Sequence, residues 1–381
     1  MVFNQVTGAD GPPVIIDCGS GYTKMGVAGG SAPSHVIPSV LCGGVDEEIS
    51  FSVQTFHSRR PAIGNQAIQD SVIGGGLRRL IVDGRVSNWS DLETFFHSCY
   101  STYLKVDPSD RPCILTEPPL NPARNREKLA EVMFETFDVP SLYIGVQAVL
   151  ALYTYWDGKT GMTGTVVDAG DGVTHVIPVM DGYVSGNCVR EINVGGKDVT
   201  RVIEEALVKR GASHSVALNR LSMHIKEKLA YVQIGEPGND VYRTIQWTDP
   251  ATGQNADLNV GHERYLGPEV FFKTLPVQLA ESIQSAPIDC RRALMSNIVL
   301  SGGSTLFPNF ANRLQTEVSK FLKGNVFVAE DLEKQRFAVW HGASILSQTN
   351  GFQNVLFTKK QYEEIGPKGA RDSAITRCLG L

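Results

Sequence analysis

Short apolar runs that end in small polar turns recur at three places in this chain. PPVIIDCGSGYTK (Pro12–Lys24) sets the run Val14–Ile16 before Asp17 and a glycine turn. GTVVDAGDGVTH (Gly164–His175) sets Thr165–Val167 before an acid-glycine turn, with a second apolar stretch, Val173–Pro178, beyond it. NIVLSGGSTLF (Asn297–Phe307) repeats the form near the C-terminus. Runs of this length bounded by turn residues predict buried strands, and the middle one predicts a hairpin with a carboxylate on its shoulder. Turn propensity alone does not predict such a repetition.

Helical spacing marks other segments. Ser90–Leu104 carries apolar residues at helical intervals behind a Ser-x-x-Glu opening that reads as a cap. Asn125–Asp138 is amphipathic, as are the stretch after the glycine turn in Ile192–Arg210, Leu218–Val232, and Phe310–Leu322, with apolar helices at Pro268–Phe272 and Val277–Ser285. Ser141–Trp156 begins like a strand and continues as a helix apolar almost all round, which predicts a buried helix crossing between two halves.

Strand alternating with helix, as in PCILTEPPLNP (Pro112–Pro122) and the helix after it, indicates α/β layers. The pattern predicts two similar α/β halves, one opening at Asp17 and the other at Asp168. The first is expected to span residues 1–155 plus 347–381, the second 156–346. Residues 42–79 are Gly- and Ser-rich and read as a mobile insertion over a cleft. A second inserted lobe is expected at about 192–274, with its polar, turn-rich part at Gly235–Asn259. The tail Phe352–Leu381 is rich in turn signals and mixed charge.

Composition narrows the classes. A length of 381 residues buries a substantial core without staples, and 42% hydrophobic with 20% charged residues is ordinary for a globular chain. A formal charge of -5 argues against a nucleic-acid partner held by phosphate neutralisation. The 7 cysteines are scattered without C-x-x-C spacing, which fits reduced thiols better than a disulfide framework or a zinc site. No signal-peptide pattern or membrane-length apolar stretch is evident, so a soluble, cytoplasmic protein with no membrane insertion is expected.

The turns carry the candidate chemistry. Gly170 and Gly172 leave backbone N–H groups free to close on a phosphate while Asp168 and Asp171 face its metal ion. Asp17, Gly19, Ser20, Gly21 and Lys24 repeat the arrangement. Two carboxylates suit a hydrated magnesium ion, so a nucleotide with a divalent cation is expected between the halves. Neither a P-loop nor a dinucleotide-binding glycine motif follows a strand. Gln147, the one amide on the apolar helix, is either a satisfied core group or a residue that orients water near a phosphate. Lys226 and Glu227 read from spacing alone as ordinary helix surface.

At these residues the chain resembles actin and, within that superfamily, the actin-related protein 3 family, from about Pro13 to Pro367. VIIDCGSGYTK and VVDAGDGVTH are similar to the two phosphate loops of the actin-like ATPase fold. LTEPPLNPARNREK and MFETFDVPSLYIGVQAVLALY resemble its central stretch. DGVTHVIPV, LNVGHERYLGPEVFF, PIDCRRALMSNIVLSGGSTLF, QRFAVW and YEEIGP favour the third class over actin itself.

The resemblance implies ATP or ADP with Mg2+ as cofactors. By residue, it implies that Asp17, Gln147 and Asp168 hold magnesium through water. It places Gly19, Ser20, Gly21, Tyr22, Lys24, Gly170, Asp171, Gly172 and Val173 at the phosphates. Lys226, Glu227, Gly302, Gly303, Ser304, Phe307 and Arg336 are implied to line the adenosine pocket, and Gln147 and His175 to place the attacking water. Tyr153, Leu346 and Phe352 resemble an apolar groove where a filament subunit docks; their other reading is core packing.

Two positions and two segments depart from the family pattern. Ala169 stands where a serine is usual, which removes a hydroxyl near the terminal phosphate. Ala343 replaces a usual glycine and is expected to crowd a close backbone contact. The segments between Lys323 and Gln335 and around Gly235–Thr252 are short.

The function implied is a nucleotide-switched subunit of the actin-related protein 2/3 complex. Its partners would be actin, the other subunits including a second actin-related protein, and nucleation-promoting factors, at the actin cytoskeleton. Two rivals share the fold: a filament-forming actin and a small-molecule kinase. The kinase needs a carboxylate base beside the terminal phosphate, and no Asp beyond those assigned to magnesium is placed for it.

Overall fold

The computed structural model describes residues 11–43, 61–71, 76–156, 161–212, 215–235, 242–249 and 252–370. The chain opens with β1 (Val14–Cys18), β2 (Tyr22–Val27) and β3 (His35–Pro38) paired as antiparallel hairpins. β4 (Val40–Cys42), β5 (Ala62–Ile63), helix α1 (Gly64–Ser71) and β6 (Leu77–Arg79) form a small side sheet with one helix. The described part of the expected insertion is mostly strand and helix; residues 44–60 and 72–75 lie outside the described set. β7 (Ile81–Val82) and β8 (Arg85–Val86) make a hairpin whose turn, Asp83-Gly84, has positive φ at both residues.

Helix α2 (Trp89–Ser98) is capped by Asn88, whose side chain accepts from the Asp91 N–H, so the cap lies two residues before the expected Ser90. The helix continues as a π-helical turn to Leu104. β9 (Cys113–Glu117), α3 (Ala123–Glu131), β10 (Ser141–Val146) and α4 (Gln147–Tyr153) follow. β9 runs parallel to β1 and to β10, as a strand–helix–strand crossover requires.

The second layer repeats this plan. β11 (Gly164–Ala169) and β12 (Thr174–Met180) form the predicted hairpin, extended by β13 (Tyr183–Val184) and β14 (Arg190–Ile192). Helices α5 (Gly196–Lys209) and α6 (Val216–Lys228) precede an outer hairpin, β15 (Arg243–Thr248) with β16 (Asn255–Val260). The polar lobe expected here is that hairpin; residues 236–241 and 250–251 lie outside the described set. α7 (Glu263–Leu266), α8 (Glu269–Phe272), α9 (Leu275–Ser285) and α10 (Ile288–Ser296) lead to β17 (Ile298–Ser301), parallel to β11. After α11 (Phe310–Val318), α12 (Leu332–Ser347) and α13 (Phe352–Val355), β18 (Phe357–Thr358) pairs with β10, and α14 (Lys359–Ile365) begins behind a Thr358 capping box. Residues 371–381 of the tail lie outside the described set.

The main sheets are therefore β18-β10-β9-β1-β2-β3 and β13-β12-β11-β17, with β14 beside β12. Each sheet has an apolar cluster on its outer face, one built on Phe95, Phe96 and Phe134, the other on Phe271, Phe310 and Leu279. A third cluster belongs to both: Ile15 and Ile114 of the first sheet meet Val166, Ile177 and Val299 of the second around α4 and α12. Helix α4 is thus buried between the two sheets, as its all-round apolar sequence requires. Gly342 permits the α4–α12 contact, since a Cβ there would lie 1.7 Å from the Leu150 carbonyl oxygen. Ala343, expected to crowd a backbone contact, sits instead within this cluster without exposure.

Candidate nucleotide site

Each parallel strand pair ends at the cleft with an aspartate. Asp17, at the end of β1, is 2% exposed. Lys24 faces it across the β1–β2 hairpin, and Lys24 Nζ donates to Asp17 Oδ2 at 3.0 Å. Thr116 Oγ1 donates to Asp17 Oδ1 at 2.6 Å, and Gln147 Nε2 reaches the same oxygen at 3.2 Å. Gln147 is therefore a partnered polar group that also lies on the loop carboxylate. Burial acts to lower the Lys24 pKa, but Asp17 beside it holds the value above the ordinary one.

Asp168 occupies the matching place on β11. Its neighbours in register are His175 on β12 and Ser301 on β17, and His175 pairs in turn with Glu191 on β14. Ser301, Asp168, His175 and Glu191 thus form one polar row across four strands, with His175 Nε2 at 3.3 Å from Glu191 Oε2. Burial raises the Asp168 pKa; His175, the Ser301 hydroxyl and Lys24 oppose the rise, and the Asp17 charge adds to it. The two aspartates are thus close enough to sense each other across the sheets.

Asp171, in the second loop, works against its own burial through two cations, so its pKa falls below the ordinary value. Lys226 Nζ lies 3.1 Å from Oδ1, and Arg79 Nη1 lies 3.3 Å from Oδ2. Lys226 is 8% exposed and also donates to the Gly196 carbonyl, so it is not helix surface; Glu227 beside it is exposed and accepts from the Tyr22 hydroxyl at 3.0 Å. The loops nearly touch: a Cβ on Gly21 would lie 2.8 Å from Asp171 Cβ, and one on Gly172 would lie 2.8 Å from Ser20 Oγ. Ser20 Oγ also accepts from the Gly84 N–H at 3.4 Å. Gly19 closes the first turn by donating to the Tyr22 carbonyl, and Gly170 closes the second by donating to the Val173 carbonyl.

The third turn completes the cradle. Gly302 has φ +90, and a Cβ on it would sit 2.4 Å from the Ala169 carbonyl oxygen, so only glycine fits. Ser304 Oγ donates to the Gly170 carbonyl at 2.8 Å, tying this turn to the second loop, while Gly303 is exposed. Arg336 is exposed and close enough to favour the ionised form of Tyr22.

Not every expected residue meets this cleft. Phe307 belongs to the outer cluster of the second sheet, its ring centroid 6.4 Å from that of Phe271. Tyr153, Leu346 and Phe352, expected in a partner groove, are 5%, 2% and 1% exposed in the shared cluster. Their burial in that cluster supports the core-packing reading.

Sequence reading missed Thr116, Ser301, Arg79 and the ion pair of Lys197 with Asp83. Asp83-Gly84 between short apolar runs is a hairpin signal, and it marks the Asp83 partner of that pair. Thr116 and Ser301 share a subtler signal: each is a hydroxyl residue near the end of a buried strand, like the aspartates.

The site has the character a metal–nucleotide ligand needs: carboxylates from two sheets, a lysine at each loop, and glycine turns that a side chain would fill. Two repeated α/β layers with such loops at their facing ends define a nucleotide-binding ATPase type of protein. Comparison with known sequences makes the assignment specific: the actin family model matches residues 8–228 and 252–374, and the chain belongs to the actin family. It is 39% identical to actin-related protein 3 of Dictyostelium discoideum, over 96% of this chain and 97% of that protein. The corresponding protein of Acanthamoeba castellanii is 38% identical over 96% and 97%, and that of Caenorhabditis elegans 37% over 97% and 98%.

Proposed function

We propose that the cleft binds ATP or ADP with Mg2+, and that the chain serves as an actin-related protein 3-class subunit of a complex that nucleates branched actin filaments. The observation that carries the nucleotide reading is the meeting of Asp17 and Asp168 from separate sheets, with Lys24 acting on both. In this reading Asp17, Gln147 and Asp168 hold the hydrated cation, and the loops from Gly19 to Lys24 and Gly170 to Val173 bind the phosphates. Magnesium, when bound, offsets the charge of phosphates and carboxylates. Lys226, Glu227, Gly302, Gly303, Ser304 and Arg336 border the nucleoside.

Ala169 brings no hydroxyl to the terminal phosphate, so hydrolysis is slow and the nucleotide acts chiefly by closing the cleft. A ligand shifts that equilibrium only through its preference for the closed form. The two halves are residues 1–155 with 347–381, and 156–346. Partners are actin, a second actin-related subunit, the remaining subunits of the complex, and nucleation-promoting factors, in the cytoplasm at the actin cytoskeleton. The likeness to three actin-related protein 3 sequences over nearly the whole chain supports the assembly reading.

The test is the mass and composition of the native assembly, with branched actin growth assayed in the same preparation. A stable hetero-oligomer holding a second actin-related chain and producing branches is expected. A lone monomer or a self-made filament rejects the assembly reading, and a fast, substrate-dependent ATPase in the purified chain rejects the scaffold role.

A further inference from the structure

Each sheet sets a hydroxyl from a parallel neighbouring strand against its loop aspartate. β1 is parallel to β9, where Thr116 Oγ1 donates to Asp17 Oδ1 at 2.6 Å. β11 is parallel to β17, where Ser301 pairs with Asp168 in register and its hydroxyl acts to lower the pKa of that carboxylate. Thr116 is 9% exposed and Ser301 1%, so both side chains are buried. Neither residue belongs to a phosphate loop.

The two contacts do the same mechanical work. A carboxylate turns freely about its last bond, and a hydroxyl donating to one oxygen fixes the plane in which the other lies. At Asp17, Thr116 and Gln147 converge on Oδ1 while Lys24 takes Oδ2. Gln147 Nε2 also reaches Thr116 Oγ1 at 3.4 Å, so this hydroxyl sets the amide and the carboxylate together. β-branching restricts the Thr116 rotamer, and strand pairing fixes the backbone behind it.

We propose that Thr116 and Ser301 are a matched pair of positioning residues, each fixing its neighbouring loop carboxylate in the orientation that receives the hydrated cation of a metal–nucleotide complex. This rests on the nucleotide reading above. It gives β9 and the end of β17 a direct part in cation geometry.

The test compares ATP affinity with Mg2+ and with EDTA for the full chain and for Thr116→Val, Thr116→Ser and Ser301→Ala. Thr116→Val and Ser301→Ala are each expected to weaken binding of Mg-ATP about tenfold, the loss typical of a hydrogen bond to a charged group. Binding in EDTA stays near the unaltered value, and Thr116→Ser restores the magnesium-dependent part. An equal loss with and without magnesium overturns the proposal, because a merely structural role moves both; so does unaltered Mg-ATP affinity. If Thr116→Val does not fold, Ser301→Ala decides by the same criteria. Absence of magnesium-dependent nucleotide binding in the unaltered chain rejects the site reading itself, an outcome distinct from normal binding that the variants leave unchanged.

Discussion

The Tyr22 hydroxyl donates to Glu227 at 3.0 Å and so joins β2 to α6 across 205 positions of sequence. Burial, then the charges of Glu227 and Asp171, push the phenol pKa well above its ordinary value, so the group stays a donor throughout the neutral range. Beside it, Arg79 reaches Asp171 and Lys197 reaches Asp83, each pair joining residues distant in sequence. Three side-chain contacts thus fasten one cleft.

Tyr22→Phe removes one fastening and leaves the ring. Nucleotide release is expected to quicken about tenfold, as for loss of a hydrogen bond to a charged acceptor, with little change in thermal midpoint. Stopped-flow displacement of a fluorescent ATP analogue measures it; an unchanged release rate shows that the bond does not restrain opening.

Lys226 and Arg79 share Asp171 unequally. Lys226 is buried, whereas the Arg79 side chain is 51% exposed and its pair is screened. Lys226→Met therefore destabilises the chain by about 3 kcal/mol by leaving a carboxylate poorly compensated, and Arg79→Ala by less than about 1 kcal/mol. The Asp171 pKa is lowered, so its contribution is present above the unfolded carboxylate value and is lost as pH falls through the folded one. Urea melts down an acid series check both the ranking and the sign.

Asp168→Asn is expected to weaken Mg-nucleotide binding while leaving the fold intact. The raised Asp168 pKa means that the ligand-free protein loses stability as pH rises from the unfolded carboxylate value through the folded one. The amide variant lacks that cost, so without ligand it melts at or above the unaltered midpoint. Calorimetry of both proteins with and without Mg-ATP tests the pair of expectations, and a lower ligand-free midpoint contradicts the second.

Glu117 and Arg126 form a buried pair, with Nε 2.5 Å from Oε1. Burial already raises the Glu117 pKa against the pull of Arg126. Arg126→Met should cost about 3–5 kcal/mol near neutrality and less at acid pH, where Glu117 takes up a proton. Denaturation at two pH values gives the comparison; equal losses at both argue that packing, not charge, is responsible.

Gly342→Ala sets a methyl group 1.7 Å from the Leu150 carbonyl oxygen, so α4 and α12 must part. A loss of about 3 kcal/mol or more is expected, larger than typical overpacking because backbone must move. Chemical denaturation checks it, and a loss below about 1 kcal/mol shows that the helices shift easily.

The strands at Asp17, Asp168 and Ser301 are legible because each joins an apolar run to a turn. Their ends are less so: β11 continues through Asp168 and Ala169, since backbone pairing with β12 does not stop at the first polar side chain. Ser90 stands in a capping pattern, yet Asn88 takes the cap because its side chain reaches the Asp91 N–H. β18 is hidden in the tail because two residues carry no periodicity. Thr116 and Arg79 meet their aspartates from 99 and 92 positions away, a proximity that only the crossover topology creates. Tyr153, Leu346 and Phe352 show the converse limit, since an apolar side chain reads alike whether it packs inward or awaits a partner.

The apolar cluster shared by both sheets has a mechanical consequence. With α4 and α12 gripped by Ile15 on one side and Val166 on the other, the halves cannot slide apart without tearing a common interior. A rotation of one sheet against the other that keeps this interior packed would have to turn about it. The outer hairpin β15–β16 and the side sheet around α1 contribute nothing to that interior. They are therefore the elements such a rotation would displace, carrying a change at the loop carboxylates to the rims.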